Sequence, residues 1–150
     1  MKRLLCRILL LTVLFCMLPI HGNAVSNQLE TVSFDDGSYM TIEVICSGAR
    51  ASGTVSGQKP YTYYGSDGNA KWKAVVSGSF SYTGSRAVCT SSSVDVTIYA
   101  SSWYTLSKSA TKSGNTAKAS VTIGEKQGGV TVTKIPVSLS LSCDKDGKLS

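Results

Sequence analysis

Histidine comes first, because catalysis near neutral pH and metal binding so often use one. The chain of 150 residues has a single histidine, His21. It lies in a stretch that reads as a removable leader, so no Ser-His-Asp triad, Cys-His dyad or histidine metal ligand is expected beyond it. Nine Asp and Glu are left for acid–base chemistry. Asp35, Asp36, Asp67, Glu125, Asp144 and Asp146 fall in or beside turn sequences, where solvation explains them. Glu43 and Asp95 stand mid-strand on the presumed outer face. The stretch Asp144-Lys145-Asp146-Gly147 begins like a calcium loop but puts glycine fourth instead of sixth, so a type I turn is the better reading. Serine and lysine are plentiful without a signature spacing. No catalytic residue, metal site or cofactor is expected.

Aromatics are the more informative chemistry. Tyr61, Tyr63, Tyr64, Tyr99, Trp103 and Tyr104 outnumber what a small core needs. Alternation turns Tyr99 away from Val96 and Ile98, and one of Trp103 and Tyr104 must also face outward. Exposed rings on a flat sheet stack on sugar rings or anchor a protein. Tyr64, Tyr99, Trp103 and Tyr104 are the candidate ligand surface; cross-strand pairing that merely stabilises the sheet is the competing reading.

The elements that position these residues begin after a leader. Lys2, Arg3 and Arg7 precede the apolar run Ile8–Ile20, and Gly22 and Ala24 supply small residues at the exit. This is the pattern of a secretory signal peptide, 1–24, cut after Ala24. This run of thirteen residues falls short of the ~20 that span a bilayer. No later segment is long and apolar enough to span one. The remaining 126 residues make one domain, 25–150, that buries roughly 65% of its unfolded surface. Three of the fifteen basic residues precede residue 25, which leaves twelve against nine acidic ones and a net charge of +3. These charges are scattered singly, which argues against a nucleic-acid partner.

The organising stretch is Trp72–Tyr82. Trp72, Ala74, Val76, Gly78, Phe80 and Tyr82 occupy one parity, and Lys73, Ser77, Ser79 and Ser81 the other with Val75. Such alternation is a half-buried strand, here read as the spine of the fold. Around it, Thr31–Phe34 and Tyr39–Cys46 form a hairpin through Asp35-Asp36-Gly37-Ser38. Ser47–Gly57 reads as a connection or weak edge, Thr62–Tyr64 with Tyr61 as a strand end, and Gly65-Ser66-Asp67-Gly68 as a turn. Ala87–Ser91 is a short strand, Ser91–Ser93 a bend and Val94–Ala100 a further strand. Trp103–Thr111, Ala117–Ile123 and Val130–Cys143 follow. The last changes phase beside Lys134-Ile135-Pro136, which predicts a bulge or break. About nine strands without helical periodicity predict an all-β fold: an antiparallel β-sandwich, immunoglobulin-like in general architecture, with a barrel as the alternative.

Three cysteines remain after the leader, Cys46, Cys89 and Cys143, enough for one disulfide and one thiol in an exported protein. Parity puts Cys46 and Cys143 on apolar faces and leaves Cys89 undecided, so residue pattern alone does not choose among the three pairings. The motifs FDDGSY (Phe34–Tyr39), RASG (Arg50–Gly53), YTYY (Tyr61–Tyr64), WKAV (Trp72–Val75), GSFSYTG (Gly78–Gly84), CTSSS (Cys89–Ser93), KSGNTA (Lys112–Ala117) and the closing CDKDGKLS resemble a family of short, exported, functionally uncharacterised proteins of Clostridia-like gut bacteria. The resemblance covers nearly the whole expected mature chain and implies export. It also implies cysteines at Cys89 and Cys143, hence a Cys89–Cys143 disulfide with Cys46 left as a thiol. Such a bond would also tie the end of the last strand; a Cys46–Cys143 pair is the rival.

These readings point to a monomeric, secreted, non-catalytic binding or surface-interaction module, with a cell-surface glycan or protein as partner. The alternative is a small secreted hydrolase using carboxylates or Ser/Lys chemistry.

Overall fold

The computed structural model describes residues 29–46 and 53–150. The expected leader, its cleavage point, the lead-in up to residue 28 and residues 47–52 of the expected connection lie outside the described residues. Nine strands follow in order among the described residues: β1 (Leu29–Ser33), β2 (Tyr39–Glu43), β3 (Ile45–Cys46), β4 (Thr54–Tyr64), β5 (Ala70–Tyr82), β6 (Ala87–Ile98), β7 (Trp103–Ser113), β8 (Thr116–Gln127) and β9 (Val130–Ser142). They build two antiparallel sheets packed face to face as a sandwich. The first has the order β1-β2-β4-β5-β6, with β3 also on β4; the second is β7-β8-β9. Two antiparallel sheets are what it shares with an immunoglobulin-like architecture. Its strands pair with near neighbours in the chain, a meander without Greek-key returns. Short hairpins suffice for this, and Gly68 and Gly114 supply positive φ (73° and 57°) where the chain reverses.

β5 is the spine its alternation predicts. Trp72, Ala74 and Val76 are fully buried, Phe80 is 1% exposed, and the intervening residues face outward. Across the gap, Ala117, Ala119, Val121 and Ile123 of β8 and Leu139 and Leu141 of β9 complete the core. The sheets approach closely at Gly78. A Cβ there would lie 2.9 Å from the Ala117 Cβ and 2.7 Å from the Phe80 ring. Tyr61 also links the two sheets, because its buried phenol meets the Ser140 backbone of β9, and burial raises its pKa.

Three sequence expectations are corrected. Thr54–Gly57, expected in a connection or edge, belongs to β4, which pairs with both β2 and β5. Ser91–Ser93 is not a bend, because β6 runs unbroken from Ala87 to Ile98. Its irregularity is a bulge that leaves Thr90 extra between the pairs Ser79↔Ser91 and Phe80↔Cys89. β9 keeps one phase throughout, because Val130 and Val132 are exposed like the other even positions up to Ser140; only its register on β8 shifts, at Val132, between Glu125↔Thr133 and Lys126↔Thr131. Pro136 itself stays in register with Thr122, on a strand at the edge of its sheet where a missing N–H is tolerated. Proline does act elsewhere: β2 and β3 share one register on β4, and their interruption falls opposite Lys59 and Pro60. Pro60 has no N–H to give that ladder.

Candidate functional site

A meander sends alternate connections to opposite ends of the sandwich. At one end lie the turns 34–38, 65–69 and 99–102 and the Gly128-Gly129 turn; at the other lie 83–86, Gly114-Asn115 and the C-terminal turn 144–148. This topology brings the cysteines to the second end with Phe80 and Tyr82, and most of the other aromatics to the first.

Within the aromatic end, alternation divides the rings between two faces. Met40, Tyr63, Trp72 and Trp103 point inward. Tyr63 stacks on Trp72 with centroids 5.3 Å apart and meets Trp103 at 5.5 Å, and the half-exposed Phe34 closes the cluster at 6.1 Å from Tyr63. The Trp72 indole nitrogen is buried without a hydrogen-bond partner. Tyr39, Tyr64, Lys71 and Tyr99 lie on the outer face at the ends of β2, β4, β5 and β6; the β4–β5 register shifts here, so Tyr64 is opposite Ala70 and Lys71 is the extra residue beside it. Tyr39 is paired with Tyr64, and their rings stack at 4.7 Å and 8°. Tyr99 continues the β5–β6 ladder, its N–H donating to the Lys71 carbonyl at 2.9 Å. Between the tyrosines, Lys71 crosses over Gly65, where its Cε takes the place of a side chain, and its ammonium holds the Asp67 carboxylate at 2.7 Å. That hydrogen bond, with a further one from Asn69, drives the Asp67 carboxyl far below the usual carboxylate range.

The four candidate residues therefore have different fates. Tyr99 is the open one, 51% exposed. Tyr64 is half-buried, with one ring face given to Tyr39. Trp103 does not belong to a surface: it is 7% exposed and packs in the core, because alternation along β7 sends it inward and its neighbour outward. Tyr104 is the outward partner, but its ring is engaged. It lies over Gly124, the Lys126 ammonium sits 4.4 Å from its centroid, and its hydroxyl bonds Thr131. Tyr39 and the Lys71–Asp67 pair were not singled out from sequence, although the Asp-Gly turns on either side of β2 and β4 signal that their ends align.

Three of the carboxylates, Asp36, Asp67 and Asp144, hold their own turns, whereas Glu30, Glu43, Asp95 and Glu125 lie within strands. Asp36 Oδ1 accepts from the Ser38 hydroxyl and N–H, and these bonds lower its pKa. Asp144 Oδ1 accepts from the N–H groups of Lys148 and Asp146, which lower its pKa against slight desolvation. No group of three potential metal ligands occurs among the described residues. An open cleft of about 340 Å³ between β6 and β7 brings Ser91 and Ser92 near Lys112. There the Lys112 ammonium donates to the Thr90 carbonyl at 2.9 Å, and the Ser92 hydroxyl to the Lys118 carbonyl. Neither contact is that of a base activating a nucleophile.

At the cysteine end, Cys89 and Cys143 flank the β7–β8 turn. Cys89 N–H donates to Gly114 O at 2.8 Å and Cys143 N–H to Asn115 O at 3.0 Å. The expected sulfur–sulfur bond between them is not formed in this structure. The Cys89 thiol donates to the Ser91 carbonyl and the Cys143 thiol to the Asp144 carbonyl. Burial pushes the Cys89 thiol up, against the nearby Lys112 charge. Cys46 is half-buried beside the Ser56 carbonyl.

No protein-family model, curated protein or solved structure matches this chain.

Proposed function

We propose that this chain is an exported, monomeric, non-catalytic binding module whose working surface is the row Tyr39–Tyr64–Lys71–Tyr99. The observation that carries this reading is that row: a stacked tyrosine pair at the paired ends of β2 and β4, and an exposed tyrosine just past β6 that is tied to β5 by its N–H on the Lys71 carbonyl. Rigid tyrosines supply contact area at low entropic cost. What supports a non-catalytic role over a hydrolase is that Asp36, Asp67 and Asp144 are committed to their own turns and Lys112 to a carbonyl. Incubation of the labelled exported protein with intact cells tests this reading. Wild type is retained and Tyr99→Ala is washed off; equal retention of the two would remove the row from the function.

Export and the resemblance to exported proteins support a Cys89–Cys143 disulfide in the mature protein, and the two residues' placement on adjacent carbonyls of one turn is compatible with it. Closing it removes two electrons and two protons, accepted by a disulfide-type oxidant outside the cell. The bond would join the two sheets and add roughly 4 kcal/mol by chain entropy. Non-reducing peptide mapping of the exported protein is expected to find a linked Cys89–Cys143 peptide with Cys46 alkylated; a linked Cys46 peptide contradicts it.

A further inference from the structure

Beside the tyrosine row runs a second row with different chemistry. The pairings Thr31↔Thr41, Thr41↔Thr62, Thr62↔Lys73 and Lys73↔Thr97 align four threonines and one lysine across five strands. Hydroxyls both donate and accept, so such a row matches a partner that itself presents hydroxyl groups in mixed roles. Charge on this face is balanced. The Lys71 ammonium is held by Asp67, and Lys73 is followed in the next row by Glu43 and by Asp95, the latter opposite Val75. A polyanion would need several unpaired cations, and of the two lysines described on this face only Lys73 is outside an ion pair. A peptide strand would add to a sheet edge through its main chain and not lie on the face. Tyr64 and Tyr99 stand on β4 and at the end of β6, two strand spacings or about 10 Å apart, so stacking positions recur across the strands.

From this face we infer that the ligand is an uncharged polysaccharide, laid across the strands with its rings on Tyr64 and Tyr99 and its hydroxyls along the threonine row. This inference rests on the tyrosine row being the working surface. Stacking supplies affinity, and the threonine row discriminates for a polyol without desolvating a charge.

The test is co-sedimentation of the exported protein with insoluble cellulose, chitin, β-1,3-glucan and mannan, alongside an immobilised anionic polysaccharide. Binding is expected to at least one neutral polymer, and raising salt from about 0.05 to 0.5 M leaves it unchanged because no counterions are released. Tyr99→Ala is expected to weaken it roughly tenfold, and Thr62→Glu to weaken it by placing a carboxylate in the hydroxyl row. An unchanged thermal melt of Tyr99→Ala separates lost stacking from lost fold. Salt-sensitive binding to the anionic polymer alone overturns the inference. Neutral-polymer binding indifferent to Tyr99 and Thr62 also overturns it. If cell retention depends on Tyr99 but no neutral polymer binds, the glycan inference fails while the binding surface stands; if nothing depends on Tyr99, both fail.

Discussion

At the scale of single residues, the facing of each side chain decides its cost. Phe80, 1% exposed and in contact distance of any Cβ at Gly78, leaves a cavity when truncated. Phe80→Ala is expected to cost about 3–5 kcal/mol. Ser93, exposed on the opposite face, is expected to cost under about 0.5 kcal/mol as Ser93→Ala. Denaturant melts of the two variants check the pair, and equal losses would contradict the facing. Alternation made most of this legible in the sequence. It established that Trp103 and Tyr104 face opposite ways but not which goes in, because that depends on β7 bordering the gap to β6. Nor could it reveal that Tyr104 is covered by Lys126, a contact made possible only by the bareness of Gly124 beneath the ring.

At the scale of elements, the strands with large alternating side chains were readable and the small, polar ones were not. Thr54–Gly57 offers threonine, valine, serine and glycine, too little burial to announce a strand by itself. It becomes one because β5 presents a full ladder to it. The bulge at Thr90 likewise hid the unity of β6, since a one-residue slip reverses parity and imitates a break. Gly78 shows what the elements demand of each other. Its missing side chain lets β5 and β8 close, so Gly78→Ala is expected to destabilise by about 1–3 kcal/mol through overpacking against Ala117 and Phe80. Thermal denaturation compared with Gly84→Ala, in an open turn, separates this crowding from the strain of positive φ. A smaller loss at Gly78 than at Gly84 would contradict the close approach.

At the scale of the molecule, the meander is what makes the two ends different. Alternate connections go to opposite ends, which brings Tyr39, Tyr64 and Tyr99 together on the outer face at one of them, with Tyr61, Tyr63 and Trp72 on the inner face. Alternation in the sequence pointed to an all-β antiparallel fold and left a barrel as the alternative to two packed sheets. Their order, and hence the row, depended on which strands pair, and that is written in long-range packing and not in any local motif. The division of tyrosines between the two faces underlies the fold, the proposed surface and its ligand together. Limited nitration of the native protein, followed by peptide mass mapping, tests it most directly. Tyr99 is expected to be modified first, Tyr39 and Tyr64 more slowly, and Tyr61 and Tyr63, each under a tenth exposed, only on unfolding. Modification of Tyr61 or Tyr63 in the folded protein as fast as Tyr99 would contradict it.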